Sequence, residues 1–142
     1  VKAIVTIRPA TSHDIDAVCR IDAAVLGSAS REQELQSAIA AGHCHVASLD
    51  MHAAGFAIMN QSFFQQSFIH LVVVHPTHQQ KGIGKALMLH MEKICPTAKL
   101  FTSTNLSNKK MQQLCEKLGY EYSGTISHLD PGDPELFYCK MV

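Results

Sequence analysis

Val72-Val73-Val74-His75-Pro76-Thr77-His78-Gln79-Gln80-Lys81-Gly82-Ile83-Gly84-Lys85-Ala86-Leu87 is the stretch that decides the fold. A β-branched run ends at His75-Pro76, a short polar turn follows, and Gln79-x-x-Gly82-x-Gly84 leads into an amphipathic segment. This pattern predicts a strand feeding a glycine-rich loop that opens a helix. Backbone N–H groups at a helix N-terminus lack intrahelical partners and sit at the positive end of the helix dipole, so they attract a phosphate. Gly82 and Gly84 carry no Cβ to hold a ligand off the backbone, and Lys81 and Lys85 add positive charge. The dinucleotide fingerprint Gly-x-Gly-x-x-Gly is excluded because Leu87 stands where its third glycine belongs, and no Gly-Lys-Ser/Thr completes a nucleotide P-loop. The plain alternative, a tight turn with no ligand, does not explain two glycines and two lysines placed together.

Upstream of the motif, residues 4–9 read as a short strand closed by Pro9. Thr11 or Ser12 is placed to cap a first helix carrying Ile15, Val18, Cys19, Ile21 and Val25, with Gly27 after it. Ser30-x-x-Gln33 reads as a capping box for a second helix running toward Ala41-Gly42. Strands are expected at residues 43–49 and 53–60, joined by Asp50-Met51-His52, with a loop over residues 61–66 and the motif strand over 67–74. Downstream, Ile83, Leu87, Met91 and Ile94 share a helix face that ends before Pro96. A strand follows at residues 99–103. A helix over 108–118 carries Met111, Leu114 and Leu118 inward, with Cys115 at the edge of that face and Gly119 as its C-cap. Two strands, 120–126 and 135–141, flank the turn Asp130-Pro131-Gly132-Asp133-Pro134. The expected order is β-α-α-β-β-β-α-β-α-β-β, a mixed central sheet flanked by helices in a single α/β (α+β) domain spanning residues 1–142.

At 142 residues with 46% hydrophobic content, the chain has enough apolar material for one core. Twelve basic side chains balance twelve acidic ones, which gives no general polyanion-binding surface, so neither nucleic acid nor membrane is expected as a partner. No apolar run reaches the length of a membrane span, and no signal peptide is expected ahead of the first strand. Five cysteines, an odd number without Cys-x-x-Cys, read as free thiols of a reducing cytoplasm. His43-Cys44-His45 is the one tight His/Cys cluster; it lacks the further ligands zinc needs and reads as surface histidines beside a strand, so no metal is expected.

The loop resembles motif A of the GNAT family of N-acetyltransferases, Gln/Arg-x-x-Gly-x-Gly/Ala, and the element order is similar to that fold over nearly the whole chain. The resemblance implies acetyl-coenzyme A as cosubstrate, with its pyrophosphate on Gln79, Gln80, Lys81, Gly82, Ile83, Gly84 and Lys85. It also implies that the pantetheine arm runs along the backbone of Val72, Val73 and Val74, where a bulge or splay leaves an N–H to polarise the thioester carbonyl. Asn105 and Asn108 fall where relatives use asparagines on the pantetheine and the next helix start; Asn108 equally suits an N-cap.

Acetyl transfer to an amine needs a base, because an alkylammonium loses its proton only near pH ~10.4. His70 is the candidate. Arylalkylamine acetyltransferases of the family carry a catalytic histidine five residues before the motif histidine, the offset of His70 from His75. The alternative is a histidine that merely lines the cleft wall. His75, before Pro76, reads as structural. Relatives often use a tyrosine to protonate the departing thiolate, and here Cys115 occupies its place, so a thiol, one of Tyr120, Tyr122 or Tyr138, or no acid at all fills that role. The resemblance thus implies an N-acetyltransferase acting by direct attack of a primary amine, small-molecule or protein, in a ternary complex. The other reading is a weakly active or inactive acyl-coenzyme A-binding module. Acceptor choice in this fold falls to variable segments, here residues 25–36, 60–67 and 127–134. Phe63, Phe64 and Phe68 are candidates for an apolar floor, and Asp130 and Asp133 for attracting a cation or simply making the turn. Dimers are common among relatives, so a homodimer is one expectation and a monomer the other.

Overall fold

The computed structural model describes residues 4–142. Its elements are β1 (Val5–Pro9), α1 (Ile15–Leu26), α2 (Glu32–Ala40), β2 (Cys44–Leu49), β3 (His52–Phe63), β4 (Gln66–Val74), α3 (Ile83–Ile94), β5 (Lys99–Asn105), α4 (Lys109–Lys117), β6 (Glu121–Ile126) and β7 (Glu135–Met141). This is the order expected from the sequence. The seven strands form a mixed sheet ordered β1-β2-β3-β4-β5-β7-β6. β4 and β5 pair in parallel through the α3 crossover, whereas β1–β2, β2–β3, β5–β7 and β6–β7 are antiparallel. The chain divides into two compact units, residues up to Met59 with Leu71–Met91, and Asn60–His70 with Glu92–Val142.

In the first unit, Val18 and Ile21 of α1 and Leu35 and Ile39 of α2 pack with Val46, Phe56, Ile58 and Val73 of the strands. Thr11 caps the 3-10 turn Ser12–Asp14 ahead of α1 in a capping box closed by Asp14. Two hydrogen bonds from Arg8, 2.7 and 2.8 Å, grip the Asp14 carboxylate and hold its pKa down at about 2. Gly27 ends α1 in the left-handed conformation, as expected. Ser30 does not cap α2. Arg31 occupies that position without a side-chain cap, since a guanidinium has no acceptor to offer, and it donates instead to Asp22 of α1 (2.6 and 3.0 Å). On α3, Ile83, Leu87 and Met91 are buried as expected and Met88 joins them, whereas Ile94 at the helix end is exposed. Each such burial contributes about 1.5–3 kcal/mol, so the start of α3 is firmly seated.

Residues 61–66 are not the loop expected from their polarity. β3 continues to Phe63 and turns into β4 through Phe64 and Gln65, both at positive φ (52° and 65°), as a two-residue type I′ turn requires. Asp50 and Met51 make the same kind of turn between β2 and β3.

In the second unit, β5 lies between β4 and β7. The β4–β5 ladder holds three pairs, Ser67↔Leu100, Phe68↔Phe101 and Ile69↔Thr102, and ends there although β4 runs on to Val74. Thr102 Oγ1 donates to the Ile69 carbonyl at that last rung (3.1 Å). Asn108 caps α4 by accepting from the Met111 N–H. The inward face of α4 differs from the expected one: Cys115 is fully buried, and Met111, Leu114 and Leu118 are half-buried. Glu92 ties this unit together, accepting from Lys140 Nζ (2.7 Å) and the Tyr120 hydroxyl (3.1 Å).

Candidate active site

The glycine loop is built by three local devices. His75 N–H donates to the Ala54 carbonyl (2.8 Å), which fixes the end of β4. His75 Nδ1 then accepts from the Thr77 N–H and starts the 3-10 turn Pro76–His78, the structural role expected of it. Gln80 (φ 63°) and Gly82 (φ 80°) take left-handed conformations that swing the chain into α3. The Gly82 carbonyl accepts the first helical bond, from Ala86 N–H (3.0 Å), so the first-turn amides of Ile83, Gly84 and Lys85 have no intrahelical acceptor. Gln79, Gln80, Lys81, Gly82 and Lys85 are exposed, and Lys81 Nζ stands 3.5 Å from His78 Nδ1. The Gln79 side chain folds back onto the Val74 carbonyl (3.3 Å), which makes it a brace for the strand end.

Gly55 of β3 belongs to this construction and was missed by the motif reading. A Cβ there would lie 2.7 Å from the Val73 carbonyl oxygen and 3.3 Å from Ile83 Cγ2. Its missing side chain lets the strand carrying Val73 and the first residue of α3 come close. A lone glycine inside a strand pattern was the available signal.

His70 is exposed on β4, directly before the valine run. Its Nε2 lies 2.7 Å from Asn60 Oδ1 and 3.3 Å from Ser62 Oγ, and its ring packs against Phe68 at 4.8 Å. Phe68 belongs to an aromatic cluster in which Phe63 meets Phe68, Phe101 and Phe137 at 4.8–5.8 Å. Phe64, at the turn, is 84% exposed.

Of the four proposed proton donors, Cys115 and Tyr120 are withdrawn by burial. Cys115 is 0% exposed, and burial pushes its thiol up to about 12. Tyr120 is buried with its hydroxyl on Glu92, and both burial and that carboxylate raise its pKa. Tyr122 is 61% exposed and shares a hydrogen bond with Thr125 in which either hydroxyl can be the donor. Tyr138 is 3% exposed and has no side-chain hydrogen bond among the described residues; since no sealed side-chain oxygen lacks a partner there, its hydroxyl is the accessible tip of a buried ring. Burial raises its pKa first, followed by nearby Cys115.

Asn105 and Asn108 hold structure. Asn105 Nδ2 donates to Asp130 Oδ2 (2.9 Å) and to the Asp133 carbonyl (3.1 Å), and Asp133 accepts from Ser107 N–H and Oγ. Both aspartates are therefore engaged in fastening residues 127–134 to the end of β5. His45, expected at the surface, is half-buried and bonds His90 of α3 (3.0 Å). Among the described residues no group of three or more His, Cys, Asp or Glu side chains could hold a metal ion, and no helix is long and apolar enough to cross a membrane. All five cysteines are free thiols.

The chain is similar to known proteins. Residues 16–120 match the model of the acetyltransferase (GNAT) family. A GNAT-family acetyltransferase from Bacillus cereus ATCC 10987 is 33% identical, with 97% of each chain covered and a TM-score of 0.93. The yncA protein of Salmonella typhimurium, solved with its cofactor acetyl-CoA, is 20% identical over 96% of this chain and 93% of its own, with a TM-score of 0.76. The ribosomal-protein-S18-alanine N-acetyltransferase of Escherichia coli is 21% identical over 96% of this chain and 92% of its own, with a TM-score of 0.78. No curated protein sequence matches the chain. A strand–glycine loop–helix motif, the family model over most of the chain and the Bacillus cereus relative agree: the chain belongs to the GNAT family of acetyltransferases.

Proposed function

We propose that this protein is an N-acetyltransferase that moves the acetyl group of acetyl-coenzyme A directly onto a primary amine in a ternary complex, with residues 1–142 acting as one catalytic domain. The observation that carries this reading is the left-handed turn at Gly82, which opens α3 with its first-turn amides unsatisfied and exposed lysines on either side. Those amides suit a pyrophosphate. Acetyl-coenzyme A as cosubstrate is further supported by the yncA relative, which holds it as its cofactor.

In this reading the pyrophosphate sits on Gln80–Lys85, with Gln79 as the brace beneath, and the pantetheine runs along Val72, Val73 and Val74. The early end of the β4–β5 ladder supports that path, since strand groups past Ile69 have no β5 rung. His70, one residue before Leu71 on the same strand, takes the proton of the incoming ammonium. An N–H of the valine run stabilises the oxyanion. Tyr138, whose hydroxyl is accessible and not engaged by another side chain among the described residues, is the candidate to protonate the departing thiolate. Asn105 and Asn108 act on the coenzyme only through the loop and helix end they fix. The free thiols suit a cytoplasmic protein.

The test is a panel of amines, from small alkyl and aryl amines to peptides with free N-termini or lysines, with release of the coenzyme thiol and mass of the acceptor as readouts. Amine-dependent release with a +acetyl product is expected. Tight coenzyme binding with no amine-dependent release across the panel would favour the binding-module reading instead.

A further inference from the structure

We propose that Asn60 is a positioning residue that sets the protons of His70 so that Nδ1, not Nε2, is the nitrogen that accepts the substrate's proton. The proposal rests on the reading of His70 as the base and concerns residues of β3 and β4 alone. Asn60 Oδ1 is met from three sides: by Ser62 N–H (3.1 Å), Ser62 Oγ (2.6 Å) and His70 Nε2 (2.7 Å). A backbone N–H can only donate, so the amide atom facing it is the oxygen, and the usual ambiguity between the two ends of an asparagine is removed. Ser62 Oγ gives its one proton to that oxygen. What remains for His70 Nε2 is to donate, to Asn60 at 2.7 Å with Ser62 Oγ as a second, longer acceptor at 3.3 Å. Neutral His70 is therefore the Nε2–H tautomer, with its lone pair on Nδ1. The Phe68 ring, 4.8 Å away and tilted by 51°, restrains rotation of the imidazole. Because Asn60 is neutral, it selects the tautomer without the charge that would hold the proton once His70 has taken it.

Two readouts test this on the full chain. The first is a ¹⁵N–¹H long-range spectrum of the histidine side chains, with His70 assigned by His70→Gln. The expected pattern is Nε2–H in the wild type and a mixture of both tautomers in Asn60→Ala. The second is the pH profile of kcat/KM. Asn60→Ala should lower the rate about tenfold or more with coenzyme affinity within a factor of about two, and Asn60→Asp should move the acid limb to higher pH, since a carboxylate favours the imidazolium. An Nδ1–H tautomer in the wild type, or an Asn60→Ala variant with unchanged tautomer, overturns the positioning role whatever the rates are. If the tautomers behave as expected but His70→Gln keeps its full rate, it is the reading of His70 as base that fails, and the catalytic use of Asn60 with it.

Discussion

Gly55→Ala puts a single methyl group where the structure has least room. The added carbon would sit 2.7 Å from the Val73 carbonyl oxygen, well inside ordinary van der Waals contact, and 3.3 Å from Ile83 Cγ2. The Ile83 methyl can shift by a few tenths of an ångström, but the carbonyl belongs to strand backbone and cannot turn away. Overpacking of this kind costs typically 1–3 kcal/mol. Removing a glycine from the unfolded chain returns up to about 1 kcal/mol. The steric term wins, with a net loss of about 1–2 kcal/mol, which for a chain of this size lowers Tm by roughly 3–8 °C. The strain also falls on Ile83, the first residue of α3, so the anion-binding turn should be displaced and acetyl-coenzyme A bound more weakly. Thermal unfolding and calorimetric titration of the same preparation measure both. A variant with unchanged Tm and unchanged affinity would refute the claim that Gly55 sets the spacing beneath the loop.

Three other perturbations have defined outcomes. Burial first, and His90 second, lower the pKa of His45, so the unfolded chain takes up that proton before the folded one. The stability it carries is whole above the unfolded value of about 6.5 and is lost as pH falls toward the lower folded pKa, so urea midpoints should drop between pH 7.5 and 5.5 and His45→Gln should flatten that drop; equal slopes would count against it. Tyr138→Phe removes only a hydroxyl and should lower kcat at least tenfold with the fold and coenzyme affinity kept, whereas wild-type turnover would return the role of acid to another group or to none. Cys115, fully buried with its thiol at about 12, should resist alkylation in the folded protein, and Cys115→Ser should lose less than about tenfold in rate; an acetyl adduct on Cys115 together with an inert Ser variant would indicate a covalent route.

The element order and the loop were legible because their signals are local. Gly82 needs a positive φ, Thr11 caps the turn directly after it, and Gly27 and Gly119 stop helices where the chain reverses. The turn at Phe64-Gln65 was hidden because neither residue favours the left-handed conformation it adopts; the pairing of β3 with β4 imposes it. Ser30 was read as the cap of α2, but Arg31 precedes the helix and is held by Asp22 of α1, a contact between helices that no local pattern shows. The inward position of Cys115 depends on how α4 is rotated against its sheet, which periodicity fixes only to within a residue. Asn60 carried no signal at all, since it meets His70 only through the hairpin register.

The central claim is that acetyl-coenzyme A binds through the exposed amides at the start of α3, and calorimetry on Gly84→Val tests it most directly. Gly82 is a poor target, because its φ of 80° would strain any side chain and confuse binding with folding. Gly84 lies in the first turn of α3 without a positive φ, so its backbone accepts a side chain, and a branched one is expected to crowd the approach to the first-turn amides. The account predicts an unchanged far-UV spectrum and Tm within a few degrees, with affinity for acetyl-coenzyme A reduced by at least about a hundredfold, equivalent to roughly 2.7 kcal/mol. Wild-type affinity in a folded Gly84→Val protein would contradict it.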